Sequence, residues 1–225
     1  MSGKRPRATS PRRSRPGRPP RPSAAEGDAR RRLLCAAAKL FAAAGYAGTS
    51  LRQVAREASV TPAMVSYYFD DKWGLLEAVL LEGLELVLAS LRETLQSAER
   101  EDPLLPRFVR AYVGVLNAHP WIPRLVVQEV ISKDTPLREL FVQRFANQAL
   151  ALVGPMLQEE IRVGRLRRDL DPRLTVMSVI GMCVFPYIAE PLLGRLLDYR
   201  IDESFARAFI PHTAALLQQG LEPTP

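Results

Sequence analysis

The stretch from Ser50 to Leu76, SLRQVAREASVTPAMVSYYFDDKWGLL, constrains this chain more than any other. Leu51, Val54, Ala55 and Ala58 recur at helical spacing and predict a short amphipathic helix. Ser50 is placed to cap it, with Gln53 where a capping box needs its second side chain. A turn is expected at Ala58-Ser59-Val60. Thr61 then caps a second helix, and Pro62 takes its first position, where a missing N–H costs nothing. Val65 and Phe69 lie one turn apart and point to a core shared with Val54 and Val60. Ala63, Ser66 and Tyr67 form the opposite face.

Two short helices joined by so tight a turn read as a helix-turn-helix. Its second helix enters a major groove with its N-terminal residues at the base edges. Pro62, Ala63 and Ser66 are small enough to let the backbone come close. A plain helical hairpin inside a bundle is the competing reading. Two tyrosines on so short a helix, followed by Asp-Asp-Lys-Trp, argue against it.

These residues resemble the DNA-binding domain of the tetracycline-repressor (TetR) family. Leu40, Phe41, Gly45, Tyr46, Thr49 and Ser50 match the end of its first helix. Val54, Ala55, Val60, Thr61, Val65, Tyr67, Tyr68, Phe69, Lys72, Leu75 and Leu76 match its next pattern. The match covers residues 28 to 80; the remainder is similar only in length and helical character. The resemblance implies base-edge contacts from Pro62, Ala63, Met64 and Ser66. It implies phosphate contacts from Ser50, Thr61, Tyr67, Tyr68 and Lys72, the last aided by the N-terminus of the helix it opens. Pro62 and Met64 do not read bases by hydrogen bond, so shape readout gains weight over direct readout.

Charge is unevenly placed. The whole chain carries +7, whereas residues 1–22 hold eight cations and no acid. The remainder therefore sums to about −1, and the basicity belongs to a Pro-, Arg-, Ser- and Gly-rich arm. That arm is expected to be disordered when free, either a solvated leader or a DNA-binding arm. It lacks the apolar segment of a secretory signal. No apolar run is expected to reach the length of a membrane span. Cys35 and Cys183 are expected as buried thiols in a reducing cytoplasm. His119 and His212 form no zinc cluster, no phosphate-cradling Gly-rich loop is present, and no nucleophile–base set stands out. No cofactor, metal or catalytic residue is expected.

Ser23 with Glu26, or Asp28, starts a first helix that Gly45 ends, with Arg30, Arg31 and Arg32 opposing its dipole near the start. A long helix from Lys72 to Glu99 carries Leu76, Leu80, Leu84, Val87, Leu91 and Leu95 at the 3.6 period. Further helices are expected over 104–118, 120–132 and 136–163, the last kinked at Gly154-Pro155. Asp171-Pro172 opens a helix apolar almost all round, which implies a subunit interface on one face and core or cavity on another. Pro186 and Pro191 are expected to end or bend it. A last helix over 203–219 places Phe205, Phe209, His212 and Leu216 on one stripe. By the resemblance, these last two helices form a dimerising bundle.

The expectation is thus an all-α chain. Residues 1–22 are a disordered basic arm, 23–71 a helix-turn-helix DNA-binding domain, and 72–225 a larger helical effector-binding and dimerisation domain. Pocket candidates are Phe108, Tyr112, Trp121, Phe145, Met156, Met182 and Phe185, with Arg124 or Gln128 as polar handle. The function expected is a cytoplasmic homodimeric regulator that binds a palindromic operator in double-stranded DNA. It acts as a repressor released by a small apolar or amphipathic effector, with no membrane partner. A ligand-independent architectural or nucleoid-associated protein is the alternative, and an enzyme with a fused helix-turn-helix the remote one.

Overall fold

A computed structural model describes residues 24–96 and 103–223. The basic arm therefore lies outside the described residues. Ten α-helices follow in chain order: α1 Ala24–Gly48, α2 Leu51–Glu57, α3 Pro62–Phe69, α4 Lys72–Gln96, α5 Leu104–Ala118, α6 Trp121–Leu125, α7 Pro136–Phe141, α8 Asn147–Arg162, α9 Pro172–Leu196 and α10 Glu203–Leu221. Helix α6 continues as a π-helical segment, Val126–Ile131, and α7 continues into α8 through another, Val142–Ala146. There is no strand among the described residues. The all-α class and the N-terminal helix-turn-helix are as the patterning predicts.

Two apolar cores share α4. The first gathers Leu33, Ala37 and Phe41 of α1, Val54 of α2 and Val65 and Phe69 of α3 around Leu75, Leu76, Val79 and Leu80. Leu125, Val130 and Leu137, far along the chain, complete it. The second sets Val87, Leu91 and Leu95 against α5, α8, α9 and α10. The leucine stripe of α4 is thus buried along its whole described length, and one stiff helix belongs to both cores.

Gly45 does not end α1 but breaks it, at φ 71° and ψ 172°, and one further turn runs to Gly48. An L side chain rarely adopts such a φ, which is the reason for glycine here. Arg31 and Arg32 meet Asp28 at 2.9 and 3.1 Å, so part of the mismatch with the dipole is relieved within the helix. Pro155 sits inside α8; the departure from α-helical geometry lies one turn before that helix, at the π-helical segment.

Helix α9 corrects two expectations. Pro186 and Pro191 lie inside it, so the helix runs 25 residues and is long and apolar enough to cross a membrane by length and composition. Pro191 has no N–H to give the Tyr187 carbonyl, and Arg124 Nε approaches that carbonyl at 3.5 Å. Tyr199 Oη also donates to α9, at the Pro186 carbonyl, at 3.1 Å. The uniform apolarity resolves into three stripes. Thr175, Val179, Cys183 and Tyr187 enter the core. Val176, Ile180, Val184 and Ile188 line a cavity. Leu174, Met177 and Phe185 face outward, each more than half exposed. In α10 the buried residues are Thr213, Ala214 and Leu217, whereas His212 and Leu216 of the expected stripe are exposed. The cysteines differ as well: Cys183 is buried, but Cys35 is exposed because it lies across α1 from the Leu33, Leu34 and Ala37 face.

Candidate nucleic-acid interface and cavity

The helix-turn-helix forms as its caps dictate. Ser50 Oγ accepts from Gln53 N–H at 3.2 Å, and Gln53 Oε1 accepts from Ser50 N–H at 2.7 Å, which closes the capping box. Ser59 turns the chain at φ 54°, and the Val60 N–H returns to the Ala55 carbonyl at 2.9 Å. Thr61 holds the N-cap backbone position of α3, but its side chain makes no capping bond. Pro62 in the first turn removes one donor that would otherwise need a partner. Val65 and Phe69 are buried, which turns Thr61, Pro62, Ala63, Ser66 and Tyr67 outward together. Met64 and Tyr68 are half-buried at the edge of that face, and the Tyr67 and Tyr68 rings meet edge to face at 4.9 Å.

The turn into α4 is tight. Asp71 Oδ1 accepts from Gly74 N–H at 2.8 Å. A Cβ on Gly74 would lie 2.2 Å from the Phe69 carbonyl oxygen, so only glycine lets α4 start this close to the end of α3. Lys72 then stands beside the exposed face, its ammonium 4.2 Å from the centre of the Tyr46 ring. Arg52 and Arg56, on the exposed side of α2, add cations that the sequence reading did not single out.

Another residue not foreseen is Glu129. It lies in the first π-helical segment and is buried, at 3% exposure. Its Oε1 accepts from the Tyr46 N–H at 2.9 Å and its Oε2 from Lys133 Nζ at 2.6 Å. The break at Gly45 is what leaves the Tyr46 N–H to seek a partner outside its own helix. The carboxylate therefore joins the long body of the chain to the end of α1. From there the Tyr46 ring meets Trp73 edge to face at 5.9 Å, as well as Lys72.

Behind Glu129 lies a cavity of about 350 Å³. Its wall comes from Leu84, Val87 and Leu91 of α4, from α5, α8 and α9, and from Val126, Val127 and Ile131 of the same π-helical segment. Of the expected pocket residues, Phe108, Tyr112 and Phe145 are on this wall. The others lie off it. Trp121 fills the space over Gly83 of α4. Arg124 is held by Glu190 at 2.9 Å and by its approach to the Tyr187 carbonyl, where Pro191 leaves an acceptor free. Gln128 is half-buried, with its Oε1 unpartnered among the described residues. Met156 packs against the second core. Met182 and Phe185 are 37% and 58% exposed on the outward side of α9.

A helix-turn-helix at one end of a stiff helix and an apolar chamber at the other define a helical DNA-binding regulator. Residues 33–79 match the family described as bacterial regulatory proteins, tetR family, and residues 103–212 match the tetracyclin repressor-like C-terminal domain. The chain is 30% identical to the probable HTH-type transcriptional regulator YttP of Bacillus subtilis (strain 168), over 77% of this chain and 84% of that one. It is 31% identical to the HTH-type transcriptional regulator RutR of Escherichia coli (strain K12), over 85% of this chain and 89% of that one. Its fold is similar to that of the transcriptional regulator FadR from Bacillus subtilis in complex with stearoyl-CoA, with a TM-score of 0.62 at 16% identity, covering 82% of this chain and 97% of that one. The chain belongs to the TetR family of transcriptional regulators. Regulators of this family are ligand-responsive DNA-binding repressors that hold their operators as homodimers.

Proposed function

We propose that this chain represses transcription from a palindromic operator and is released by an apolar or amphipathic small molecule bound in the cavity. The observation that carries this reading is the course of α4. Lys72 opens it beside the exposed face of α3, and Leu84, Val87 and Leu91 of the same helix line the cavity. A ligand that favours one position of α4 therefore sets the position of α3, provided it binds that state more tightly.

In this reading residues 23–71 are the DNA-binding unit and 72–225 the effector-binding and dimerising unit, with 1–22 as the basic arm. Pro62, Ala63, Met64 and Ser66 meet base edges; Ser50, Thr61, Tyr67, Tyr68 and Lys72 hold phosphates. The open Thr61 hydroxyl and the exposure of Tyr67 support those roles. Leu174, Met177 and Phe185 of α9, with His212 and Leu216 of α10, form the homodimer face. Pairing there covers the apolar face of α9, so the helix needs no membrane. FadR, a neighbour in fold, is in complex with stearoyl-CoA, an amphipathic molecule, which supports an apolar or amphipathic occupant here. The protein is cytoplasmic and has no catalytic activity of its own.

Footprinting with purified protein tests the reading. The expected result is one near-palindromic site with half-sites about one helical turn, or a multiple, apart. Broad, sequence-tolerant coating of DNA would support an architectural role instead.

A further inference from the structure

Among the described residues lining the cavity, Tyr112 alone carries a polar side-chain atom. Its ring leans on Phe108 at 5.5 Å, and its hydroxyl makes no hydrogen bond to any described residue. The neighbouring Tyr187 shows what the fold does elsewhere. That hydroxyl, fully buried, donates to the Val113 carbonyl at 3.2 Å. A hydroxyl that faces a cavity with no protein partner keeps both its donor and its acceptor capacity for what enters. Tyr112 therefore stands as a donor and acceptor held ready against an otherwise hydrocarbon wall.

No charged side chain lines that wall among the described residues. The nearest expected cation, Arg124, is engaged with Glu190. An ion moved into such a chamber loses its hydration with nothing to replace it, which is far more costly than moving a neutral group. Burial also pushes the Tyr112 phenol well above its ordinary range, so it stays neutral and keeps its proton to donate. The chamber opens where Ile131, Leu150 and Ile180 reach solvent, and these too are apolar.

From the single unpaired hydroxyl on a chargeless wall, we infer that the effector is an uncharged, hydrocarbon-rich molecule with one hydrogen-bond-accepting oxygen, of ketone or ester type, seated on Tyr112. Tyr112 is then the residue that determines specificity, and the rest of the wall measures only size and apolarity. This rests on the cavity being the effector site, as proposed above.

The test uses the full chain and four probes of equal carbon count: octane, methyl hexyl ketone, octanoate and octylammonium. Each competes with the neutral fluorophore aminoanthracene at neutral pH, against wild type and Tyr112→Phe. Val153→Trp, which fills the chamber, reports whether the fluorophore sits there. The ketone should lose roughly fivefold or more in affinity from wild type to Tyr112→Phe, the weight of one ordinary hydrogen bond. Octanoate and octylammonium should bind at least tenfold more weakly than the ketone. Tyr112→Phe should keep the wild-type affinity for octane and an unchanged circular-dichroism spectrum.

An unchanged ketone affinity in Tyr112→Phe would overturn the inference. So would tightest binding of either ion. In those cases the cavity remains an effector site, of another selectivity. If no probe and no fluorophore binds, or if Val153→Trp leaves fluorophore binding intact, the cavity reading itself falls and takes the inference with it.

Discussion

Glu129 should govern how firmly the DNA-binding end is tied to the body. Glu129→Ala removes a buried carboxylate from the Tyr46 N–H and leaves that donor unpaired at the break in α1. A hydrogen bond to a charged group contributes about 1.5–3 kcal/mol, and an orphaned buried donor costs a similar amount. The loss should lower the melting temperature by roughly 3–12 °C for a chain of this size. Lys133 is a useful contrast. Its side chain is 43% exposed, so Lys133→Ala removes only a screened pair and should cost at most about 1 kcal/mol. Glu129→Gln keeps one acceptor oxygen and should fall between the two. Thermal unfolding ranks the variants, and amide hydrogen exchange locates the effect. The Tyr46 amide should be protected in wild type and in Lys133→Ala, and exposed in Glu129→Ala. Because Tyr46 carries Lys72 and Trp73, operator affinity should drop in Glu129→Ala as well. Equal stability of Glu129→Ala and Lys133→Ala, with unchanged exchange at Tyr46, would refute the role of this carboxylate.

Three further outcomes are expected. Gly74→Ala should destabilise by about 1–3 kcal/mol, because its Cβ would lie 2.2 Å from the Phe69 carbonyl oxygen and backbone must move; chemical denaturation measures it, and wild-type stability would show that the turn yields freely. An aromatic disulfide reagent should label Cys35 in the native protein and Cys183 only after unfolding, since burial pushes the Cys183 thiol up to about 12; rapid native labelling of Cys183 would mean that α9 opens. Deleting residues 1–22 should flatten the log–log salt dependence of DNA binding by about 2 to 4 units per subunit, each neutralised phosphate contributing about 0.9; identical slopes across a salt series would show that the arm stays in solvent.

The helix-turn-helix was legible because local signals agreed there. The capping box at Ser50 and Gln53, Pro62 at the start of α3 and the buried pair Val65 and Phe69 are all short-range, and each appears where its spacing places it. The same holds for α4, whose leucines keep one period from Leu76 to Leu95. Glu129 was not legible. With Lys133 one turn on, it reads as an ordinary solvated helix pair, and what buries it is a broken helix more than 80 residues earlier in the chain. Arg124 misled for a related reason. One of its partners, the Tyr187 carbonyl, is free only because Pro191 lies inside α9 rather than at its end.

The cavity shows a more general reason why a site can hide in a sequence. A cavity and a packed core draw on the same residues; Val176 lines the void while Thr175 and Val179, beside it on the helix, are buried away from it. Aromatic size picked out Phe108, Tyr112 and Phe145, but the same criterion picked Trp121, which fills space, and Phe185, which faces outward. What distinguishes a wall is the volume missing across from it, and no residue type records that. A polar group left without a partner can betray it. Tyr112 and Tyr187 are chemically identical and both packed between α5 and α9, yet only one finds a carbonyl. That difference depends on where α5 and α9 place each hydroxyl, so it appears only after folding. It is also what a ligand can use, because the bond that the fold leaves unmade at Tyr112 is available to whatever enters.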